Sequence, residues 1–415
     1  MSPEPTLVSR TEESVRVDVT SLLAQLVAIP SVNPRGQAIP AETAVATFVA
    51  DWSRRNGLDA WLEEVVDGRC NVIVTLPGRD QSRIVLLESH LDTVEVEHMT
   101  VPPFEARVDG GRLYGRGACD AKGPLAAFLI AMRDLARSGQ VPPYSVVLAG
   151  VVDEEHEYRG VTGLLASESL SAAREVVGAV VGEPTDLRMV VAHKGCMRCH
   201  IVASGPGGHS SRPWGLVNPI ESIAEVVTHL ASDVVPHLGD QAHPLVGPPT
   251  LVTSMISGGS GPNTVPNECR ITLDRRTLPG EDPHNVWAEL RAGVEQKFGD
   301  RVVVEEPFLV DLALDTDPAD TFVASVGAAL SHVGRDGAPI GTGWGSDASK
   351  LAAVGIPAVV LGPGSITDAH KPDESIDIDE LTAAVEIMRT VLMGRVTYGM
   401  EGRNLGGSDA SPTDR

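Results

Sequence analysis

Again and again the chain sets an ionisable side chain at the end of an aliphatic run. "LLESHLDTVE", residues 86–95, closes one such run with His90 and Asp92. Asp120 lies in the Gly-rich "GRGACDAKGP", and Asp153, Glu154 and Glu155 follow "VVLAGVV". Glu183 follows "GAVVG", and His370 falls in "GPGSITDAHKPDE", beyond "IPAVVL". On a strand, residues two apart share a face, so His90 and Asp92 point the same way off its C-terminal end. In open α/β sheets that edge is where ligands bind. Taken singly, each position has an ordinary reading as a strand cap, a solvated acid or a surface histidine. Taken together, so many converging carboxylates raise one another's pKa and cost stability unless a cation neutralises them. One or two divalent metal ions remove the conflict. Imidazole and carboxylate donors without a plausible thiolate suit zinc, cobalt or manganese. A carboxylate bridging two ions about 3.5–4 Å apart uses both oxygens, and the ions can share a water.

The elements that must position these groups alternate between helix and strand, the pattern of an α/β layer fold. "DVTSLLAQLVAI" places Val19, Leu22, Leu23 and Leu26 on one helical face, and Pro30 stops it. "AETAVATFVADWSRRNG" is a second helix, ended by Gly57. "GPLAAFLIAMRDLARSG" opens with Pro124 and closes with basic residues and Gly139. "NVIVTLP", "RIVLLES", "SVVLAGVV", "GAVVGEP" and "IPAVVLGPG" are short buried strands, and "DIDELTAAVEIMRTVLMGRV" is a final amphipathic helix. Between residues 194 and 307 the texture shifts. "HIVASGPGG", "TLVTSMISGG" and "ECRITLDRR" read as antiparallel strands, interleaved with helices at "NPIESIAEVVTHLASDV" and "PHNVWAELRAGVEQKFG". A smaller α+β domain over 194–307 is therefore expected to interrupt a main domain formed by 1–193 and 308–401. The Gly/Ser/Asp-rich residues 402–415 are expected to be a disordered tail.

A length of 415 residues fits two domains, and 42% hydrophobic with 21% charged residues is ordinary for a soluble enzyme. The formal charge of −23 argues against nucleic acid or an anionic membrane as a partner. It says little about a small substrate, because a local Arg reverses the field near itself. The N-terminal residues show no secretory signal, and no apolar run approaches the roughly 20 residues a membrane span needs. Five scattered cysteines do not form a disulfide framework, and the expected location is cytoplasmic. Cys196, Cys199 and His200 spell C-x-x-C-H, a haem-attachment pattern, but "CMRCHIVASG" reads as a strand with the two cysteines on opposite faces.

"SHLDTV", "GRGACDAKG", "DEE", "GEPTD" and "AHKPDE", in this order, resemble the dinuclear metallohydrolase family of acetylornithine deacetylase, succinyl-diaminopimelate desuccinylase, aminoacylase and glutamate carboxypeptidase. The resemblance runs from "LVAIPSVNP" to the last helix and includes "GPGGHSSRPWGLVNPI", "GGSGPNTVPNECRITLDRRTLPGE" and "GWGSDASKL". It implies a zinc-exopeptidase-like catalytic domain, with a central mixed sheet flanked by helices, and an inserted lid or dimerisation domain. It also implies two divalent ions, zinc foremost with cobalt or manganese as substitutes. His90, Asp120 and Glu183 would hold one ion, and Asp120, Glu155 and His370 the other, Asp120 bridging. Asp92 would hydrogen-bond the free nitrogen of His90, and Glu154 would be the general base acting on a bridging water. His209 resembles the oxyanion-stabilising residue, which in dimeric members reaches the partner subunit's active site. Asn263 resembles a further substrate contact, and Arg276 a clamp for the substrate carboxylate. Arg276 is preferred over Arg275 because Asp274 completes the family's Asp-x-Arg spacing.

Ser89 replaces a customary Gly before the histidine, and "DEEHEYRG" departs from the small residues that commonly follow the glutamate pair. His156, Tyr158 and Arg159 therefore bear on the rim of the pocket. The expected activity is hydrolysis of the amide of an N-acyl amino acid by a homodimer. Its alternatives are an exopeptidase acting on short peptides, an amide-forming or acyl-transfer enzyme using the same site, and a catalytically dead binding protein.

Overall fold

The structure, a computed structural model, describes residues 11–394 apart from 38, 40, 67 and 171–174; the tail expected to be disordered lies outside these residues. Its larger sheet has nine strands. In spatial order they run Asp59–Val66, Arg69–Leu76, Tyr144–Val151, Asp80–His90, Glu175–Val181, Ala358–Val360, Val190–His193 and Leu314–Asp315, with Ile340–Thr342 also on Val190–His193. Asp80–His90 lies parallel to Tyr144–Val151 and Glu175–Val181, and Ala358–Val360 extends that parallel block. The first two strands add an antiparallel hairpin, so the sheet is mixed as expected. Parallel strands share one C-terminal edge. His90, the Asp153–Glu155 turn, Glu183 and the loop carrying His370 therefore all leave the sheet on the same side.

Side-chain alternation along Asp80–His90 divides the core in two. Val85 and Leu87 pack into one cluster with the helices Glu12–Val27, Lys122–Ser138, Thr321–His332 and Ile378–Leu392. Ile84 and Leu86 pack into the other, with the helices Arg159–Leu165 and Ala348–Ala353. Lys122–Ser138 is buried from Lys122 to Leu135, and Gly139 ends it in the left-handed region at φ 67°. Its strong helix formers (Ala, Leu, Met) explain why so apolar a segment is helical rather than extended. Gly178 has no side chain for a packing reason: an added Cβ would lie 2.2 Å from the Phe322 ring.

The second sheet has five strands. Thr250–Gly258 forms its edge, followed by Glu268–Thr277 and Gly195–Ser204, with Val302–Val304 and Leu309–Asp311 end to end along the far flank. Since Leu309–Asp311 pairs with Gly195–Ser204, this sheet continues past the expected return to the main domain at residue 308. Pro219–His229 and Pro283–Phe298 cover one face of it, over Met197, Cys199, Ile201, Ile271 and Leu273. Both helices start at a side-chain cap followed by Pro: Asn218 accepts from the Ile220 N–H at 3.1 Å, and Asp282 from that of His284 at 2.9 Å. Cys199 lies in this core, while Cys196 faces Asp274 on the other side at 3.8 Å. The C-x-x-C-H stretch is thus a strand, and His200 stacks on Phe308 with 4.7 Å between ring centroids.

Candidate active site

Asp120 lies at the centre of the convergent edge. Its Oδ1 is 2.9 Å from His90 Nε2, and its Oδ2 is 3.2 Å from His370 Nε2. Glu183 Oε1 lies 3.7 Å from His90 Nε2, and Glu155 Oε1 lies 3.0 Å from His370 Nε2. One carboxylate is therefore flanked, oxygen by oxygen, by two imidazoles, each with a second carboxylate of its own. His90–Asp120–Glu183 and Asp120–Glu155–His370 both gather their donor atoms within 4.8 Å, and Glu154 joins His90 and Glu155 in a third such group.

Local structure explains how these groups are held. Glu374 accepts from the backbone N–H groups of Cys119 at 2.9 Å and Asp120 at 3.1 Å, and Arg116 pairs with it at 2.6 Å. The Asp120–Ala121 peptide is cis, and His370 occupies the left-handed region at φ 60°. Asp153 turns the chain at φ 68°, and its carboxylate is held by Arg69 at 2.9 Å, Asn33 at 2.9 Å and Arg159 at 2.5 Å. With its oxygens so engaged, Asp153 is the pivot of the turn, and Glu154 and Glu155 are left to face the cluster.

Asp92 differs from expectation. Its carboxylate lies 3.7 Å from His90 Nδ1, and its backbone carbonyl, at 3.0 Å, takes that hydrogen bond instead. The carboxylate is occupied elsewhere, accepting from Asn33 at 2.7 Å and from the N–H groups of Glu154 and Glu155 at 3.1 and 3.0 Å. The strand ends at His90, so the alternation that would have aimed Asp92 beside it no longer applies. The consequence for His90 is unchanged. A carbonyl only accepts, so Nδ1 carries a proton, and Nε2 is the atom that faces Asp120.

The electrostatics favour a cation. Burial pushes the carboxyls of Glu154 and Glu183 well above their ordinary range, with Asp347 and Glu155 adding to the first and Asp120 to the second. Burial also raises Glu155. Hydrogen bonds to Asp120 and Glu155 lift the His370 imidazole to about 10. Burial opposes charge on His90, yet Glu183 and Asp120 still raise it well above its ordinary value. Protonated imidazoles are thus the only positive groups inside the cluster, and divalent ions fit the same donor set without them. The one nearby thiol, Cys119, turns away to the Ser365 carbonyl at 3.3 Å, leaving nitrogen and oxygen donors alone.

Residues from the second sheet have partners of their own. His209 pairs with Thr264 in a two-stranded ribbon, and the Ser210 N–H donates to the Asn263 carbonyl at 2.9 Å. His209 and Asn263 are therefore neighbours, both exposed. Among the described residues no hydrogen bond or ion pair joins either to the carboxylate–imidazole cluster. Arg276 is half-buried and donates through Nε to Asp274 at 2.9 Å, whereas Arg275 is buried and bound to Glu281 at 2.8 Å.

Sequence reasoning passed over Glu374, Asn33 and Glu88. Glu88 is 1% exposed with neither carboxylate oxygen hydrogen-bonded, and Asp347, equally buried, has only an ion pair with Lys350 at 3.9 Å. A charge inside "LLESH" at an inward position was the available signal.

A mixed sheet whose parallel strands end in clustered imidazoles and carboxylates, beside a second helix-backed sheet, defines a hydrolase architecture. Residues 86–394 match Peptidase family M20/M25/M40, and the chain belongs to that family, whose members hydrolyse amide bonds. Acetylornithine deacetylase of Proteus mirabilis is 29% identical over 377 residues, covering 88% of this chain and 94% of that protein. A probable succinyl-diaminopimelate desuccinylase of Staphylococcus epidermidis is 28% identical over 407 residues, covering 90% and 96%. The M20 family metallo-carboxypeptidase Sso-CP2 of Sulfolobus solfataricus shares the fold, with a TM-score of 0.76 at 20% identity over 91% of this chain and 98% of its own.

Proposed function

We propose that the chain hydrolyses the amide bond of an N-acyl amino acid at a pair of divalent cations, zinc foremost. The observation that carries this reading is the placement of the two Asp120 oxygens against His90 Nε2 and His370 Nε2, at 2.9 and 3.2 Å. His90, Asp120 and Glu183 hold one ion, and Asp120, Glu155 and His370 the other. When bound, such ions polarise the scissile carbonyl and lower the pKa of water toward about 7.

The chain's own residues do the rest. Glu154, outside both ligand triads, takes the proton of the attacking water and delivers it to the leaving amine. His209 Nδ1 accepts from the Ser211 N–H at 3.2 Å, so the ring proton sits on Nε2. Nε2–H is then the donor to the developing oxyanion, an interaction worth roughly 2.7–4 kcal/mol. Asn263, on the same ribbon, adds a substrate contact, and Arg276 clamps the substrate carboxylate with its terminal nitrogens.

Residues 194–307 act as lid and dimerisation domain. Thr250–Gly258 is an edge strand, open on its outer side, that exposes Val252, Met255 and Ile256, which supports pairing with a second copy of this chain. Among the described residues no helix is long and apolar enough to cross a membrane. The five cysteines are free thiols, which supports a cytoplasmic location.

The test is amine release from N-acetyl and N-succinyl amino acids, with dipeptides alongside, by protein loaded with zinc, cobalt or manganese. Turnover of the acyl amino acids supports the reading. Turnover of dipeptides alone makes the enzyme an exopeptidase, and release from neither overturns the assignment.

A further inference from the structure

We infer that Lys350 and Tyr158 are a positioning pair: a cation–π contact seats the turn that carries Glu154 and ties it to the second sheet through Asp311. The inference rests on the reading of Glu154 as general base and deepens it.

Tyr158 closes the turn that Asp153 opens. Its N–H donates to the Asp153 carbonyl at 2.7 Å, and it precedes the helix Arg159–Leu165 in the left-handed region at φ 58°. A bulky side chain keeps that conformation only where its surroundings fix it. Part of the support is apolar, since Tyr158 packs against the cluster that includes Ile84, Leu86 and Leu351. The rest is Lys350, whose Nζ lies 3.5 Å from the ring centre. Among the described residues the Tyr158 hydroxyl makes no hydrogen bond, so the face of the ring is what is held.

Lys350 is itself fixed. Its Nζ donates to Asp311 Oδ1 at 2.5 Å and to the Ser346 carbonyl at 3.2 Å. The Lys350 and Asp311 side chains are 12% and 3% exposed, so water hardly competes for the ammonium. A cation over a ring gains most where it is desolvated in this way. An ammonium has three donors, and two oxygens and a ring face engage them. Lys350 therefore acts through its neighbours and has no donor left for a substrate.

The contacts of that ammonium join different parts of the molecule. Lys350 stands on the helix Ala348–Ala353 beside the larger sheet, whereas Asp311 pairs in register with Cys196 of the second sheet. Gly345 admits the Asp311 carboxylate, because a Cβ there would lie 2.6 Å from Oδ2. Asp92 and Asn33 hold the start of the turn, with Arg69 and Arg159 on the Asp153 carboxylate, and Lys350 holds its end at Tyr158. The departure from small residues after the glutamate pair thus supplies the aromatic face that Lys350 meets.

Loss of the contact frees the end of the turn. Glu154 is then aligned less of the time, while Arg276 and the ligands outside the turn are untouched. Amide hydrogen exchange of residues 153–158, followed by mass spectrometry on zinc-loaded full-length protein, reads the contact without turnover. Lys350→Met and Tyr158→Leu are each expected to speed that exchange at least about tenfold, and Tyr158→Phe to leave it unchanged. Lys350→Arg keeps a cation over the ring and is expected to stay near wild type. Tyr158→Leu carries the test should Lys350→Met, which leaves Asp311 unpaired, not fold. On N-acetyl and N-succinyl amino acids the two disruptive variants are expected to lower kcat at least about tenfold, with KM and zinc content unchanged. Combined, they should lose no more than either alone. Unchanged exchange in Tyr158→Leu, a Tyr158→Phe protein as impaired as Tyr158→Leu, or additive losses overturns the inference. The expected exchange pattern in a protein that releases no amine sustains the contact and refutes the hydrolase reading. Amine release with unaltered exchange in the variants does the reverse.

Discussion

Asp92 has no solvent exposure, yet its carboxylate is fully engaged by Asn33 and by the N–H groups of Glu154 and Glu155. In the proposed mechanism a buried carboxylate so placed aligns two neighbouring acids for separate tasks, Glu155 on a metal and Glu154 on a proton. Glu154→Gln keeps the shape and loses the base. Turnover is expected to fall by about 10²–10⁴-fold with metal content unchanged, measured by steady-state kinetics and elemental analysis of the same sample. Near-normal turnover with both ions bound would remove Glu154 from its role. His193 offers a stability test away from the ligands. It is buried between the Lys194 carbonyl at 3.0 Å and Ser346 Oγ at 3.1 Å, and burial pushes its pKa down from 6.5 to about 4. Below about pH 6.5 the unfolded chain takes up a proton that the folded chain refuses. Stability from this group is therefore full above that pH and lost down to about pH 4, by about 3 kcal/mol. In chelated samples, urea unfolding of wild type and His193→Gln is expected to diverge less at about pH 4.5 than at pH 7. A constant difference across that window contradicts the assignment. At this scale the acids and imidazoles were legible because strand ends repeat them, whereas the true partner of His90 was not. Whether a strand stops at His90 or at Asp92 decides which oxygen meets Nδ1, and sequence does not fix an end to one residue.

Elements with one strong period were readable, and those defined by their neighbours were not. Lys122–Ser138 and Ile378–Leu392 follow from apolar spacing and their terminal signals. Asp59–Val66 was missed, because "DAWLEEVV" is half polar and becomes a strand only by pairing antiparallel with Arg69–Leu76. Leu309–Asp311 was likewise invisible as part of the second sheet, being three residues long and held by register with Gly195–Ser204. The open edge at Thr250–Gly258 carries a prediction of its own. Ile256 is 62% exposed and Met255 68%, values that leave an apolar strand uncovered in a single chain. Ile256→Asp is expected to convert a two-chain species to single chains in sedimentation velocity. Turnover should fall with it if His209 serves the partner's site. A wild type already monomeric at micromolar concentration contradicts edge pairing.

For the molecule as a whole, the larger sheet gathers acids from far apart in sequence onto one edge, and the second sheet carries the proposed carboxylate clamp, Arg276. Membership in a family of amide hydrolases was legible from the order of the motifs. The distance from His209 to the metal cluster was not, because it depends on how sheets and copies of the chain meet. Asp120 is the test piece, since removal of a shared ligand strips both ions while removal of an unshared one strips one. The most direct measurement is metal content per chain by elemental analysis after zinc loading and buffer exchange, for wild type, His370→Ala and Asp120→Ala, each checked for folding by circular dichroism. About two ions are expected in the wild type, about one in His370→Ala and almost none in Asp120→Ala, as shared ligation requires. A folded wild type that retains no zinc, or an Asp120→Ala protein that still holds both ions, contradicts the dinuclear centre.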